Sequence, residues 1–457
     1  MSELLIKNPA TGEQLDKIAR TTNLEEVYDK ARRARLKWQN QPLKYRIKVL
    51  QAFKEKLLKR ADKLAREQTL ETGKPISQSR GEINAVTRRI DYFCGKVTDV
   101  IKKEKVYEEP TLLELISYEP LGVIANISAW NYPWFVGLNV IVPALLTGNA
   151  VLYKPSEFAV LTGLNICRLL EEAGLPENLL SCVVGEGDVG AQLVDLPIDG
   201  LFFTGSYNTG KKIAETIAPR FIKSAFELGG KDPVYVADDV HVDTAVEGTA
   251  DGAFYNLGQS CCAIERIYVH EKIADEFIEK FTAQVKQFKV GDPLDEQTYL
   301  GPLTREAHAR YLDEQVGDAQ NKNARPMIAT GALPAQGAYY APQVFTDVNH
   351  DMLLMKEETF GPLIGIQVVK SDEEAINLMK DTPYGLTAGV YTNFGERANQ
   401  ILSEMNSGTV YWNCCDRVSP YLPWSGRGHS GLGSTLSHLG ILAFVKPKAW
   451  HLKKPEG

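Results

Sequence analysis

The chain has no excess of positive charge: 51 Lys and Arg stand against 58 Asp and Glu, for a net charge of -7 and a pI near 5.7. A general nucleic-acid binder carries a basic footprint, so that class is excluded. The basic stretch Lys30 to Lys37 sits among acids and reads as a solvated helix face. Cysteine is scarce, seven in 457 residues, and that sparse, odd count does not suit a disulfide scaffold. A reducing, cytoplasmic setting is therefore expected. The seven histidines show no H-E-x-x-H and the cysteines no C-x-x-C, so no metal site is expected. A G-x-S-x-G elbow is absent too. Residues 1–10 carry no long apolar run, so no secretory signal is expected. One stretch, Pro120 to Tyr153, holds no charged side chain, but Pro133, Pro143 and several Gly and Asn interrupt it. A bilayer helix wants about 20 mostly apolar residues. The stretch reads instead as a buried strand, a loop and a buried helix, with no membrane partner.

What is present is the balance of a globular chain, 44% hydrophobic and 24% charged. Residues 24–70 carry helical periodicity, with Asn23 as a candidate cap and Gly73-Lys74-Pro75 as a break. Ile83 to Val100 is expected to be a further helix, and Thr111 to Tyr118 a strand. From Gly122 onward, short β-prone runs alternate with helical ones: strands near 122–127, 150–153, 180–184 and 200–204, helices near 163–173, 189–194 and 209–218. That alternation predicts a parallel sheet with helices on both faces. The pattern restarts after Gly229-Gly230, with strands at 233–236 and 266–269 and helices at 243–255 and 274–288. A domain boundary near residue 228 follows. The last run, Phe444 to Leu452, reads as a strand whose Lys and Pro suit a sheet edge or a partner's sheet.

Several residues have chemistry to offer. Cys261 and Cys262 follow Gly258-Gln259-Ser260, and a glycine before a cysteine permits close backbone approach. A cysteine is also, commonly, just a small buried apolar residue. Glu227 lies between Phe226 and Leu228; desolvation there would raise its pKa toward a general base, and an ion pair with Lys231 is the plainer alternative. Glu358, in Glu357-Glu358-Thr359-Phe360-Gly361-Pro362, reads alone as a solvated acid before a turn. The loop Thr204-Gly205-Ser206 runs from a strand into a helix holding Gly210, where free N–H groups can bind phosphate. Lys154 and Glu157 stand at another strand end, where open α/β sheets bind ligands. On local sequence both loops could equally be surface βα turns.

Taken together these pieces resemble the aldehyde dehydrogenase superfamily over nearly the whole chain. Asn8-Pro9-Ala10-Thr11-Gly12-Glu13 looks like the family's start, and Ala129-Trp130-Asn131-Tyr132-Pro133 is similar to its P-W-N-[FY]-P segment. Lys154-Pro155-Ser156-Glu157, Gly205-Ser206 with Gly210, and Glu227-Leu228-Gly229-Gly230-Lys231 follow in order. Phe254-Tyr255-Asn256-Leu257-Gly258-Gln259-Ser260-Cys261 resembles the cysteine signature. Glu358-Thr359-Phe360-Gly361-Pro362 and Ser430-Gly431-Leu432-Gly433 close the set.

The resemblance implies an α/β fold: a Rossmann-like cofactor domain (1–100 and 120–228), an α/β catalytic domain (229–428) and a small β oligomerisation extension (101–119 and 429–457). It implies a homodimer or homotetramer, with the extension pairing with a neighbouring subunit. The implied activity is oxidation of a small aldehyde to a carboxylate with NAD, NADP being possible. Cys261 would form a thiohemiacetal and then a thioester, Asn131 and the Cys261 N–H would hold the oxyanion, and Glu227 would activate water. Lys154 and Glu157 would bind the adenosine ribose, Ser206 the pyrophosphate and Glu358 the nicotinamide ribose. Trp130 and Phe360 would flank the cofactor. Glu157 opposes a 2′-phosphate, and Ser156 softens that opposition. The substrate pocket would take in Tyr132, Asn139, Ser260, Cys262 and Arg417. Arg417 reading a distal carboxylate, as in a semialdehyde-acid dehydrogenase, is one alternative; a catalytically idle binding protein on the same fold is another. The tail departs from P-F-G-G-x-K, since Trp424 stands at the Phe position and Gly428 at the Lys position.

Overall fold

A computed structural model describes residues 3–329 and 331–455. Residues 1–2 and 456–457, the outer ends of the expected cofactor domain and extension, lie outside the described residues. The helical 24–70 region is three helices, Leu24–Trp38, Leu43–Lys59 and Ala61–Thr72, because Pro42 and Arg60 interrupt it. Asn23 caps the first by accepting from the Glu26 N–H. Gly73 ends the third in the left-handed region at φ 78°. The next helix begins at Ile76, seven residues before the expected start, with Pro75 at its N-cap. Polar Gln78, Ser79 and Glu82 are buried in those added turns, which hid them from a hydrophobic-period reading.

The uncharged stretch folds as the strand Val123–Ser128, the helix Pro133–Leu146 and the strand Ala150–Pro155, nearly all buried. Among the described residues no helix is long and apolar enough to cross a membrane. These strands belong to a six-stranded sheet. Its order is Gly431–Leu432, Lys223–Glu227, Gly200–Thr204, Val123–Ser128, Ala150–Pro155, Leu180–Cys182. All neighbours are parallel except Gly431–Leu432, which runs antiparallel to Lys223–Glu227 with Gly431 opposite Glu227. The chain starts in the middle, at Val123–Ser128, winds outward to one side and returns to the other through Gly200–Thr204. Those two strands flank the topological switch point, where open α/β sheets bind ligands beyond their C-terminal ends.

After residue 228 a second, seven-stranded sheet forms around Asp232–Val236, Ile264–His270, Leu363–Val369 and Thr387–Tyr391. A separate apolar core packs this second half. A third sheet holds Val445–Lys453, Leu112–Pro120 and Glu104–Glu109 in antiparallel order. The C-terminal strand thus pairs over nine residues with Leu112–Pro120 of its own chain, from Val445 opposite Pro120 to Lys453 opposite Leu112. Its hydrogen-bonding edge toward that strand is therefore taken up internally.

Candidate active site

Two cavities meet between the sheets. The first, of about 790 Å³, opens over the switch point. Its walls include Trp130 and Asn131 after one switch strand, Gly205 and Ser206 after the other, and Glu358 and Phe360 from the second half. The second, of about 580 Å³, is walled by Tyr132, Asn139, Ser260, Cys262, Arg417, Trp424 and the Gln78–Arg89 helix face. Asn131, Glu227 and Cys261 line both. Three residues read from separate stretches of sequence therefore stand at the junction of two chambers.

The cysteine loop is held in an unusual backbone state. Asn256, Leu257 and Gly258 all lie in the left-handed region, at φ 53°, 59° and 69°. Such conformations cost free energy in non-glycine residues and persist only where surroundings enforce them. Gly258 must be glycine, since a Cβ there would stand 2.4 Å from the Gly361 carbonyl oxygen. Asn256 stitches the loop: its Nδ2 donates to the backbone oxygens of Asn131 (3.3 Å) and Gln259 (3.2 Å). The Asn131 side chain itself makes no hydrogen bond among the described residues, although the residue is 4% exposed. The Cys261 N–H is likewise without a backbone acceptor among them. Both donors are free for an oxygen placed at the junction.

The adjacent cysteines are not equivalent. Cys262 is buried, and its thiol donates to Asp416 Oδ1 at 2.9 Å. Hydrogen bonding with Cys261, then burial and the nearby Asp416, push its pKa well up, so it stays a thiol. Cys261 is half-buried and faces the chambers.

Glu227 does not pair with Lys231. Lys231 Nζ instead meets Glu265 Oε2 at 2.8 Å and Thr359 Oγ1 at 2.9 Å. Glu227 accepts the Thr435 hydroxyl, and burial pushes its pKa up to about 6, against the lowering effects of Thr435 and Arg89. Glu265 also receives the Thr359 and Phe360 amides, which pins the segment carrying Glu358 and Phe360. Phe360 sits at φ 51° and meets Trp130 edge to face, ring centroids 5.5 Å apart. Glu358 lies against the Gly229–Gly230 backbone, accepting from the Gly230 N–H at 3.1 Å. A side chain on Gly229 would collide with it. Burial and the neighbouring Glu265 push Glu358 up to about 8.

A dinucleotide fits these residues: the first chamber lies at the switch point, and Ser206 caps the helix Tyr207–Ile217 there. Gly210 is buried behind the loop rather than on its wall, and a Cβ on it would meet Leu228 at 2.6 Å. Lys154, Ser156 and Glu157 do not line this chamber. Lys154 is buried with Nζ on the Pro155 carbonyl (3.3 Å), and Glu157 walls a separate cavity with Phe158 and Glu186.

Residues 2–450 match the sequence profile described as the aldehyde dehydrogenase family. The chain belongs to that family. It is 34% identical to aminoaldehyde dehydrogenase 1, peroxisomal, of Pisum sativum, over 88% of this chain and 82% of the relative. It is 34% identical to betaine aldehyde dehydrogenase 1 of Oryza sativa subsp. japonica, over 90% and 83% respectively. A betaine aldehyde dehydrogenase of Staphylococcus aureus, solved in complex with NAD+, superposes with a TM-score of 0.95 at 29% identity, covering 100% of this chain and 93% of the other. An NADP dependent enzyme of E. coli gives a TM-score of 0.95 at 30% identity, covering 99% and 95%. The protein is thus an NAD(P)-dependent oxidoreductase that oxidises an aldehyde to a carboxylate through a cysteine-bound intermediate. Neither the idle-protein alternative nor the semialdehyde-acid one is favoured.

This aldehyde dehydrogenase contains site residues that the sequence reading missed. Arg89 reaches the second chamber from the Ile76–Val100 helix and donates from Nη1 to Asn139 Oδ1 at 3.1 Å. Asn139 is therefore engaged by the protein itself. Arg417, offered earlier as a carboxylate reader, is largely exposed at the rim and leans toward Asp251 at 3.8 Å. Gly185-Glu186-Gly187-Asp188-Val189-Gly190 has the G-x-G-x-x-G spacing and joins the strand Leu180–Cys182 to the helix Gly187–Asp195. A Cβ on Gly190 would stand 3.5 Å from the Lys154 stem. None of these glycines walls the first chamber, and Glu186 walls the separate cavity beside Glu157.

Proposed function

We propose that Cys261 is the nucleophile, that Asn131 and the Cys261 N–H hold the oxyanion, and that Glu227 is the base for hydrolysis. The observation that carries this reading is the shared position of these three residues, which line both chambers. The Cys261 thiolate adds to the aldehyde carbon, and the new oxyanion receives hydrogen bonds from the two free donors. NAD(P), which Ser206, Glu358, Trp130 and Phe360 would hold in the first chamber, would supply the acceptor for the hydride that leaves the adduct's carbon as the thioester forms. Glu227 then takes a proton from water as that water attacks the resulting thioester, releasing carboxylate and free Cys261. Splitting the reaction at a covalent intermediate replaces one hard step with two easier ones. A base with a pKa near 6 is ionised at neutral pH yet still able to accept a proton.

Ser206 would face the pyrophosphate and Glu358 the nicotinamide ribose, with Trp130 and Phe360 at the ring. Lys154 and Glu157, at the end of Ala150–Pro155, would serve the adenosine side, and Glu157 favours NAD over NADP by repelling a 2′-phosphate. Seven free cysteines suit a reducing compartment such as the cytoplasm. The exposed edge Glu104–Glu109 suits strand addition between subunits of a dimer or tetramer. The test is mass spectrometry of the Glu227→Gln variant mixed with NAD and an aldehyde. An acyl adduct should accumulate on the Cys261 peptide with one reduced cofactor per subunit; an adduct elsewhere, or none, overturns the assignment.

A further inference from the structure

The Asn131 side chain makes no hydrogen bond among the described residues, so its aim depends on the backbone that carries it. Two residues on, that backbone enters the helix Pro133–Leu146, with Tyr132 at the N-cap. A helix start leaves N–H groups without intrahelical acceptors. Tyr132 supplies no side-chain cap, and Pro133 has no N–H to offer. The next two N–H groups, of Trp134 and Phe135, both donate to Glu82 Oε1, at 2.9 and 3.3 Å. The helix dipole favours a carboxylate at that end as well.

Glu82 is held in turn. Its other oxygen receives Lys74 Nζ and Gln68 Nε2, the latter at 2.7 Å, and the Glu82 and Lys74 side chains are each 1% exposed. Lys74 Nζ also stands 3.7 Å above the Tyr132 ring centroid. The same ion pair therefore grips Tyr132 and the turn that follows it. One turn earlier on the Ile76–Val100 helix, Gln78 serves the other side of the junction. Its Oε1 accepts the Asn256 N–H at 3.0 Å, and its Nε2 donates to the Tyr299 carbonyl at 2.9 Å. Asn256 is the residue that ties the cysteine loop to the Asn131 carbonyl. Residues four apart share a helical face, so one face of one helix holds both the Asn131 turn and the Cys261 loop.

We propose that Glu82, fixed by Lys74, is a positioning residue for the oxyanion site: it holds the turn from Tyr132 to Phe135 so that the Asn131 amide stays at the junction with the Cys261 N–H. The inference rests on the reading of Asn131 as an oxyanion donor. Its physical basis is preorganisation. A donor stabilises developing charge only if it is already in place, and a displacement of about 1 Å can cost about 10²-fold in rate.

The experiment is a double-mutant cycle on kcat between Glu82 and Asn131, with rates counted per folded subunit. Glu82→Gln keeps an oxygen for one amide but loses the charge that Lys74 and the helix start call for. It should lower kcat by about tenfold or more with KM for NAD little changed, and Asn131→Ala should lower kcat by about 10²–10³. In the Asn131→Ala background, Glu82→Gln should cost less than about twofold further, because no amide is left to aim. Lys74→Met added to Glu82→Gln removes both buried charges, a replacement that is often neutral for stability. That protein should show the same kcat loss and the same coupling, which keeps the test open where the single variant folds poorly. Equal fold-losses in the two backgrounds, or a kcat unmoved by either Glu82 variant, overturn the inference and leave the site reading standing. A wild-type kcat in Asn131→Ala sinks the site reading, and this inference with it.

Discussion

Thr435 donates its hydroxyl hydrogen to Glu227 Oε1, and the strand Gly431–Leu432 that precedes it is zipped against the strand that ends in Glu227. The tail of the chain thus lowers the pKa of the proposed base, against the larger raising effect of burial. Thr435→Val removes the one hydrogen bond that lowers the Glu227 pKa. Hydrolysis needs the ionised carboxylate, so kcat should rise with pH through about 6 in the wild type. In Thr435→Val that rising limb should move to higher pH. A kcat profile between acid and neutral pH checks it, and an unmoved limb would detach Thr435 from the base.

The neighbouring cysteines should separate cleanly. Cys261→Ala should abolish oxidation, because burial and Asp416 still hold Cys262 as a thiol once the Cys261 contact is gone. Cys262→Ser should keep most of the turnover, since a hydroxyl can still donate to Asp416. Initial rates of reduced-cofactor formation, with labelling by iodoacetamide, decide the matter. Labelling of Cys262 in the Cys261→Ala protein at wild-type speed would reverse the assignment.

The Asn131 amide is the free donor at the junction. Asn131→Ala should lower kcat by about 10²–10³ with a much smaller change in KM, as loss of one oxyanion donor does. An effect confined to KM would recast Asn131 as a wall residue.

How much of this was legible follows from where each residue sits. Cys261, Glu227 and Asn131 each occupy a short conspicuous segment, with glycines or aromatics in a fixed pattern, so their order in the chain carried the resemblance. The alternating strands gave the parallel sheet because buried parallel strands are continuous apolar runs, but not the strand order that locates the switch point. Arg89 was hidden for a physical reason. An arginine in a long helix reads as solvent-facing, and its neighbour Arg88 does face solvent. The clue lies in the spacing of Gln78, Glu82, Ala85 and Arg89, which share one helical face and all wall the chamber. The alternative pairing of Glu227 with Lys231 stayed open in the sequence because the actual partner, Glu265, is distant and is brought alongside by the parallel pairing of Asp232–Val236 with Ile264–His270.

That Lys231–Glu265 pair predicts a stability effect. Both side chains are almost fully buried, at 0% and 5% exposure. Glu265→Gln leaves Lys231 charged and poorly matched, and it weakens the hold on the Thr359 and Phe360 amides. Removing one partner of a buried pair typically costs about 3–5 kcal/mol. A lower denaturant midpoint is expected, together with a raised KM for NAD. Adding Lys231→Met should restore part of the stability but not the cofactor KM, since the anchor on Thr359 and Phe360 stays weakened.

Cofactor choice is the last quantity on which the proposed reading makes a prediction, through the charge of Glu157. Ser156 Oγ donates to Glu157 Oε2 at 3.3 Å, which holds the carboxylate beside the strand end that would meet the adenosine ribose. A 2′-phosphate placed there faces a like charge, and at a separation of about 5 Å near a protein surface that repulsion is worth roughly 3 kcal/mol before salt screening. Glu157→Gln should therefore raise the NADP-to-NAD ratio of kcat/KM by about tenfold or more at low salt, and by less at high salt, because exposed charges are screened. A ratio that stays put at both ionic strengths would place the adenosine ribose away from Glu157.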